Sequence, residues 1–424
     1  MNLMPSPLLG RVAAPPSKSA AHRALIAAML AAGESVLMNI EESDDIAATR
    51  KAIETLGARV RKGTDGTGRS WLTVTGGLPR PGEAVIDCGE SGSTLRFLVP
   101  VALTMGSTVT FTGAGRLPQR PMQPYFALFD RCGVSYHIPG GGRFLPLCVS
   151  GTLRPGHFRL PGGVSSQFVS GLIMALPILP GDSTVTVEGA LESAAYVELT
   201  LSVMERFGVR VTRDEPGVYR VSGGQRYRPA TLTIEGDWSQ AAFWLTAGAL
   251  GGDVRVEGLD GRSVQGDRVI FDILRSMGAD IVVEEDGAVR CRRSPLRATD
   301  VDVSQCPDLA PAVAAALALS RGEARITGCA RLRHKESDRV DSIVRALSAL
   351  GADIRADGDE IAVRGVLSLR GGDADSCGDH RIAMMIACVS GRCAGPVRLA
   401  GAGAVRKSYP GFWDDMARLG GKIQ

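Results

Sequence analysis

Two helical patterns alternate along the chain. In the first, apolar residues line one face only. Val340, Ile343, Val344, Leu347 and Leu350 form one such stripe, and Val269, Ile273, Leu274 and Met277 form another, the spacing of an amphipathic helix with one buried side. Each of these helices ends in a hydrophobic residue followed by glycine, at Leu56-Gly57, Cys132-Gly133, Phe207-Gly208, Met277-Gly278, Leu350-Gly351 and Leu419-Gly420. Glycine supplies the left-handed residue that closes a helix, and a β-rich run such as Ala279-Asp280-Ile281-Val282-Val283 follows. The six glycines are 76, 75, 70, 73 and 69 residues apart.

The second pattern is apolar all round, which predicts a buried helix. Its openings, each a loop of small residues, fall near Lys18, Gly92, Ser165, Trp238, Asp308 and Asp379, separated by 74, 73, 73, 70 and 71 residues. The chain is therefore six copies of one unit: strand, buried helix, strand, amphipathic helix, strand, strand. One core rarely grows past about 250–300 residues, so the 424 residues predict two α/β lobes of three units each. Arg228-Pro229 and Glu235-Gly236-Asp237 mark the break between them.

The helix openings carry the candidate chemistry. Pro15-Pro16-Ser17-Lys18-Ser19 brings a lysine and two hydroxyls to the first turn of a helix, with Arg23 one turn further on. Unpaired N–H groups and the helix dipole make such a terminus a seat for an anion. Asp87-Cys88-Gly89-Glu90-Ser91-Gly92-Ser93-Thr94-Leu95-Arg96 opens the second buried helix, and Gly162-Gly163-Val164-Ser165-Ser166-Gln167 the third. Between them, Arg120 precedes Pro121 in a segment biased to extended geometry. Ser193 and Tyr196 begin the third amphipathic helix, and Cys306-Pro307-Asp308 leads into an aliphatic one. Lys335-Glu336-Ser337-Asp338-Arg339 is the densest charged run. Asp379-His380-Arg381 and Lys407-Ser408-Tyr409-Pro410 follow. Taken alone, most of these read more simply as a capped turn or a solvated face than as a ligand site. Together, Lys18, Arg23, Arg96, Arg120, Lys335, Arg339, Arg381 and Lys407 all stand at or near helix openings, which suits ligands rich in phosphate and carboxylate.

Composition narrows the picture. A net charge of +3 with dispersed Lys and Arg argues against a nucleic-acid-binding stripe. Nine cysteines, an odd number without CxxC pairs, predict free thiols and a cytoplasmic location. Cys377 and His380 have a metal-like spacing but no second pair nearby, so no metal is expected. The start has no basic-then-apolar pattern, and 17 residues before Lys18 leave no room for a transit peptide. The apolar runs Phe168–Leu179 and Pro311–Leu319 are too short to span a membrane.

These motifs, in this order, resemble the 5-enolpyruvylshikimate-3-phosphate (EPSP) synthase family. The resemblance rests on Pro16-Ser17-Lys18-Ser19 with Arg23, Gly92-Ser93 with Arg96, Arg120-Pro121, Ser165-Ser166-Gln167, Pro307-Asp308, Lys335 to Arg339, Asp379-His380-Arg381 and Lys407. It implies an enolpyruvyl-transferase fold: an N-terminal lobe over 17–235, and a C-terminal lobe over 236–424 completed by residues 1–16, with the two lobes closing around the substrates. It implies transfer of the enolpyruvyl group of phosphoenolpyruvate to the 5-hydroxyl of shikimate 3-phosphate, in a monomer, without metal or organic cofactor.

By the same resemblance, Lys18, Ser19, Arg23, Ser165, Ser166, Gln167, Ser193, Asp308 and Lys335 match positions around shikimate 3-phosphate. Lys18, Gly92, Arg120, Gln167, Arg339, Arg381 and Lys407 match those around phosphoenolpyruvate. Asp308 is the candidate base, Glu336 the candidate acid, and Lys18 stabilises charge at the attacking oxygen. Glu90 and Ser93 stand where the family commonly has Asn and Thr, from which weaker inhibition by glyphosate is expected. Arg331 replaces a common Asn, and that contact is not carried over. The alternatives are the sister transferase acting on UDP-N-acetylglucosamine and a non-catalytic phosphate-binding protein. The sister enzyme typically places a reactive cysteine near the Arg120 region, whereas Gly113 to Tyr125 contains none.

Overall fold

The computed structural model describes residues 1–64, 66, 70–77 and 82–424. The chain divides into two compact units, 16–234 (the N-terminal lobe) and 1–15 with 235–424 (the C-terminal lobe). The N-terminal lobe carries α1 (Lys18–Leu30), α2 (Asp44–Thr55), α3 (Gly92–Thr104), α4 (Gln123–Cys132), α5 (Ser166–Ala175) and α6 (Ala195–Arg206). The C-terminal lobe carries α7 (Trp238–Gly251), α8 (Ile270–Ser276), α9 (Ala310–Ala318), α10 (Arg339–Ala349), α11 (His380–Ser390) and α12 (Phe412–Arg418).

The odd-numbered helices are the uniformly apolar ones. Every residue of α9 is buried, as is α7 from Trp238 to Leu250. The even-numbered helices bury a single stripe, in α10 Val340, Ile343, Ala346 and Leu347. The six glycines that close them all have positive φ, between 65° and 104°. In the C-terminal lobe α7, α9 and α11 pack on one another. In the N-terminal lobe α3 packs on α5 and on α1. Each lobe has its own continuous hydrophobic core, to which each fully buried Leu, Ile or Phe contributes about 1.5–3 kcal/mol.

Among the described residues, three four-stranded sheets surround the helices of each lobe. One shows the common plan. Val301–Asp302 lies parallel to Glu323–Thr327, which pairs antiparallel with Glu360–Arg364, itself antiparallel to Asp353–Asp357. The parallel pair needs a crossover, supplied by the apolar helix, whereas the antiparallel pair closes through a tight turn.

Three sheets depart from the simple repeat. Leu9–Ala13 precedes α1 in sequence yet pairs with Asp253–Glu257 of the C-terminal lobe. Thr231–Thr233 precedes α7 yet pairs with Gly33–Met38 of the N-terminal lobe. The first and fourth units have thus exchanged leading strands. Val12 and Leu8 explain the first exchange, since they are buried in the core that contains Val254 and Val256. Asn2–Met4 closes the C-terminal lobe by lying between Val397–Ala400 and Lys422–Ile423. In every unit a strand ends a few residues before an apolar helix begins. Lys18, Ser19, Gly92, Ser165, Ser166, Gln167, Asp308 and Arg381 lie at these junctions, whereas Arg120, Ser193, Lys335, Glu336, Arg339 and Lys407 lie at or before the openings of the amphipathic helices.

Candidate active site

In the N-terminal lobe, three helix openings are tied together by polar side chains. Ser17 caps α1, accepting from Ala20 N. Lys18 Nζ donates to Asp45 Oδ2 at 2.8 Å. Arg23 is only 2 % exposed and uses three of its five N–H donors inside the lobe. Its Nε reaches Thr200 Oγ1 at 2.7 Å, Nη1 the Ser19 carbonyl at 2.8 Å and Nη2 the Tyr196 carbonyl at 2.9 Å. Ser193 is buried with a φ of 56°, a left-handed conformation that serine rarely adopts.

At the openings of α3 and α5, Ser91 caps α3 and Ser165 caps α5. Arg96 Nη1 donates to Gln167 Oε1 at 2.8 Å and Nη2 to the Pro121 carbonyl at 2.9 Å, and Gln167 Nε2 donates to Ser93 Oγ at 2.9 Å. The Arg120 guanidinium lies over Gly92, so close that a Cβ there would come within 2.7 Å of Nη1. Ser166 is buried beside them. The Glu90 carboxylate lies against Gly115, where a Cβ would sit 2.5 Å from its carboxyl carbon.

The C-terminal lobe holds a dense cluster of charge. Asp308 lies in the single turn Pro307–Leu309 that leads into α9. Its Oδ1 accepts from Arg339 Nη1 at 2.7 Å and Lys335 Nζ at 3.3 Å, and its Oδ2 from Arg381 Nη2 at 3.0 Å. Burial opposes charge on Asp308, but Arg381, Lys335 and Arg339 outweigh it and hold the carboxyl well below the usual carboxylate range. Arg339, at the first position of α10, also donates to Glu336 Oε2 at 2.7 Å and to Asp379 Oδ2 at 2.8 Å. Asp379 caps α11 by accepting from Arg381 N at 2.9 Å. Burial lowers Lys335 to about 8 despite the charge of Asp308. Lys407 is buried at the end of the turn Ala402–Lys407, and Arg331 donates to the Ser304 carbonyl at 2.7 Å.

Lys18, Gly92, Arg120, Ser93 and Gln167 thus stand at neighbouring openings of one lobe, and Asp308, Lys335, Glu336, Arg339 and Arg381 form one cluster in the other. Arg23 is a buried tie between α1 and α6. Asp45, the partner of Lys18, is absent from the sequence reading. So is Asp267, a fully buried carboxylic acid hydrogen-bonded to Ser239. Burial, with the charge of Asp308, pushes Asp267 up to about 6. A signal for such partners was present. Lys18 with Asp45, Trp238 with Gln265, and Asp308 with Lys335 are all 27 residues apart, each pairing the opening of an apolar helix with the segment that opens the amphipathic part of the same unit. Among the described residues, no group of three His, Cys, Asp or Glu could hold a metal ion.

Six repeated units in two lobes, with charged helix openings in each, define the enolpyruvyl-transferase fold. The enolpyruvyl transferase NikO of Streptomyces tendae superposes with a TM-score of 0.81 over 100 % of this chain and 98 % of its own, at 18 % identity, a likeness of fold alone. An EPSP synthase structure from Acinetobacter baumannii aligns with a TM-score of 0.82 and 26 % identity, covering 99 % of this chain and 97 % of its own. The family model for EPSP synthase (3-phosphoshikimate 1-carboxyvinyltransferase) matches residues 4–416. A 3-phosphoshikimate 1-carboxyvinyltransferase of Clostridium kluyveri is 43 % identical over 427 aligned positions, covering 100 % of this chain and 98 % of the relative. One from Clostridioides difficile is 40 % identical, with the same coverage. The chain belongs to the EPSP synthase family.

Proposed function

We infer that this chain transfers the enolpyruvyl group of phosphoenolpyruvate to the 5-hydroxyl of shikimate 3-phosphate and releases phosphate. It thereby serves aromatic amino-acid biosynthesis as a 3-phosphoshikimate 1-carboxyvinyltransferase. Family membership over the full chain supports the reaction, and one observation supports the mechanism: Arg339 binds both Asp308 and Glu336, the candidate base and acid. In this reading Lys18, Ser19, Arg23, Ser165, Ser166, Gln167, Ser193, Asp308 and Lys335 serve shikimate 3-phosphate. Lys18, Gly92, Arg120, Gln167, Arg339, Arg381 and Lys407 serve phosphoenolpyruvate. The enzyme acts as a cytoplasmic monomer. No helix among the described residues is long and apolar enough to cross a membrane.

The charge cluster suggests why chemistry waits for both substrates. A carboxylate held by three cations is a poor base. When the anionic groups of phosphoenolpyruvate draw on Arg339 and Arg381, Asp308 loses part of that stabilisation and its proton affinity rises. It then takes the proton of the 5-hydroxyl as the oxygen attacks C2, while Glu336 delivers a proton to C3. Loss of phosphate breaks the C2–O bond to phosphorus, and C3 returns its proton to Glu336. Lys18 and the arginines stabilise the charge that develops.

Phosphate release measured with each substrate alone, with both, and with UDP-N-acetylglucosamine in place of shikimate 3-phosphate tests the reading. Release that requires phosphoenolpyruvate and shikimate 3-phosphate together is expected. Turnover with the UDP-sugar, or with neither acceptor, overturns it.

A further inference from the structure

A buried chain of hydrogen bonds crosses the N-terminal lobe and is used by none of the steps above. His22 Nδ1 and Thr49 Oγ1 are 2.7 Å apart, Thr49 Oγ1 and Thr94 Oγ1 2.6 Å, and Thr94 Oγ1 donates to Ser91 Oγ at 2.7 Å. His22 is on α1, Thr49 on α2 and Thr94 on α3, while Ser91 is the cap of α3. All four are at most 1 % exposed.

Each hydroxyl has one proton, which sets the direction of the chain. Thr94 gives its proton to Ser91, so the proton between Thr49 and Thr94 is that of Thr49. Thr49 then has none left for the imidazole, and His22 donates from Nδ1. Burial keeps His22 neutral, with its value lowered to about 3, in agreement with a single N–H. The run His22, Thr49, Thr94, Ser91 is a one-way relay of donors, and Thr49 is its junction.

The relay ends beside the phosphoenolpyruvate residues. Ser91 accepts from Thr94 N at 3.2 Å, which sets the first turn of α3, and Gly92 beneath Arg120 is the next residue. At the other end α1 carries Lys18, joined to α2 through Asp45. We propose that Thr49 is a positioning residue: it holds the Gly92 backbone and Arg120 in register with Lys18 and thereby sets the affinity for phosphoenolpyruvate. The proposal rests on the function inferred above.

Thr49→Val keeps the shape of the side chain but removes both the donor and the acceptor, and Thr49→Ser restores them. The expected result for T49V is a KM for phosphoenolpyruvate raised about tenfold, a KM for shikimate 3-phosphate changed by less than about twofold, and recovery in T49S. Amide hydrogen exchange over 89–96, read by mass spectrometry in the protein without substrates, should accelerate in T49V and return in T49S. Should T49V fail to fold, His22→Leu removes the donor at the far end and is expected to give the same selective rise. An unchanged KM for phosphoenolpyruvate, a parallel rise in both KM values, or exchange over 89–96 that is unaltered overturns the proposal. A wild-type chain inactive with both substrates would sink the functional reading, and the exchange comparison would still decide whether Thr49 orders the loop.

Discussion

Arg339 Nη1 lies 2.7 Å from Asp308 Oδ1, and the same guanidinium holds Glu336 and Asp379. One arginine, 1 % exposed, thus fixes the candidate base, the candidate acid and the cap of α11. Asp308→Asn keeps the shape but leaves Arg339, Arg381 and Lys335 without the carboxylate they share. Turnover is expected to fall about 10²–10⁴-fold, the range for loss of a general base, while phosphoenolpyruvate binds at least as tightly because positive charge is gained. Single-turnover kinetics and equilibrium binding check the two halves. Near-normal turnover would remove Asp308 from the proton transfer.

Glu336→Gln separates binding from chemistry. The amide can still accept from Arg339 Nη2, which donates to Glu336 Oε2 at 2.7 Å, so the cluster should keep its geometry. It has no proton to give to C3. Substrate affinities within about threefold of wild type, with turnover lowered about 10²-fold or more, are expected. Unchanged turnover with tight binding would exclude Glu336 from proton transfer.

The two-lobed α/β architecture was legible because its signals are local. A glycine that closes a helix, an all-apolar segment and a β-rich run each act within a few residues, and six repetitions made them unambiguous. The exchange of Leu9–Ala13 and Thr231–Thr233 between units was not legible in the residues themselves, since a short strand carries no mark of which sheet edge it will join; only the family resemblance assigned residues 1–16 to the C-terminal lobe. The acidic partners were hidden for a related reason. Asp45 belongs to the solvated-looking start of an amphipathic helix, and only the fold carries it to Lys18. Its 27-residue offset recurs in other units and would have exposed it.

Gly92→Ala should act on phosphoenolpyruvate. An added Cβ would meet Nη1, Cζ and Nη2 of Arg120 at 2.7, 2.9 and 3.0 Å, so the guanidinium must move away. Displacing such a group by about 1 Å can cost 10²-fold. A KM for phosphoenolpyruvate raised at least about tenfold, with that for shikimate 3-phosphate nearly unchanged, is expected in steady-state assays. Equal values for both proteins would show that Arg120 does not serve phosphoenolpyruvate.

The same loop bears on glyphosate. Glu90 directs its carboxylate to Gly115, across the loop that precedes Arg120, and Ser93 rather than Thr accepts from Gln167. Inhibition competitive with phosphoenolpyruvate but weaker than in common bacterial enzymes is expected. An inhibition constant no weaker than theirs, measured side by side, would sink this expectation.

His22 predicts part of the response to acid. Burial lowers it from 6.5 to about 3, with Asp45 opposing and Lys18 and Arg23 reinforcing the shift. The unfolded chain therefore takes up this proton near pH 6.5, while the folded lobe does so only near pH 3. Stability from the neutral imidazole is complete above pH 6.5 and is lost steadily as the pH falls between those values. His22→Asn places an amide N–H where Nδ1 stands, so the donor to Thr49 survives but the titration does not. Between pH 7 and pH 5 the wild-type protein should lose about 2 kcal/mol more stability than H22N, as measured by urea unfolding at both pH values. Equal losses would mean that the folded lobe takes up this proton as readily as the unfolded chain, so that burial does not hold the imidazole neutral.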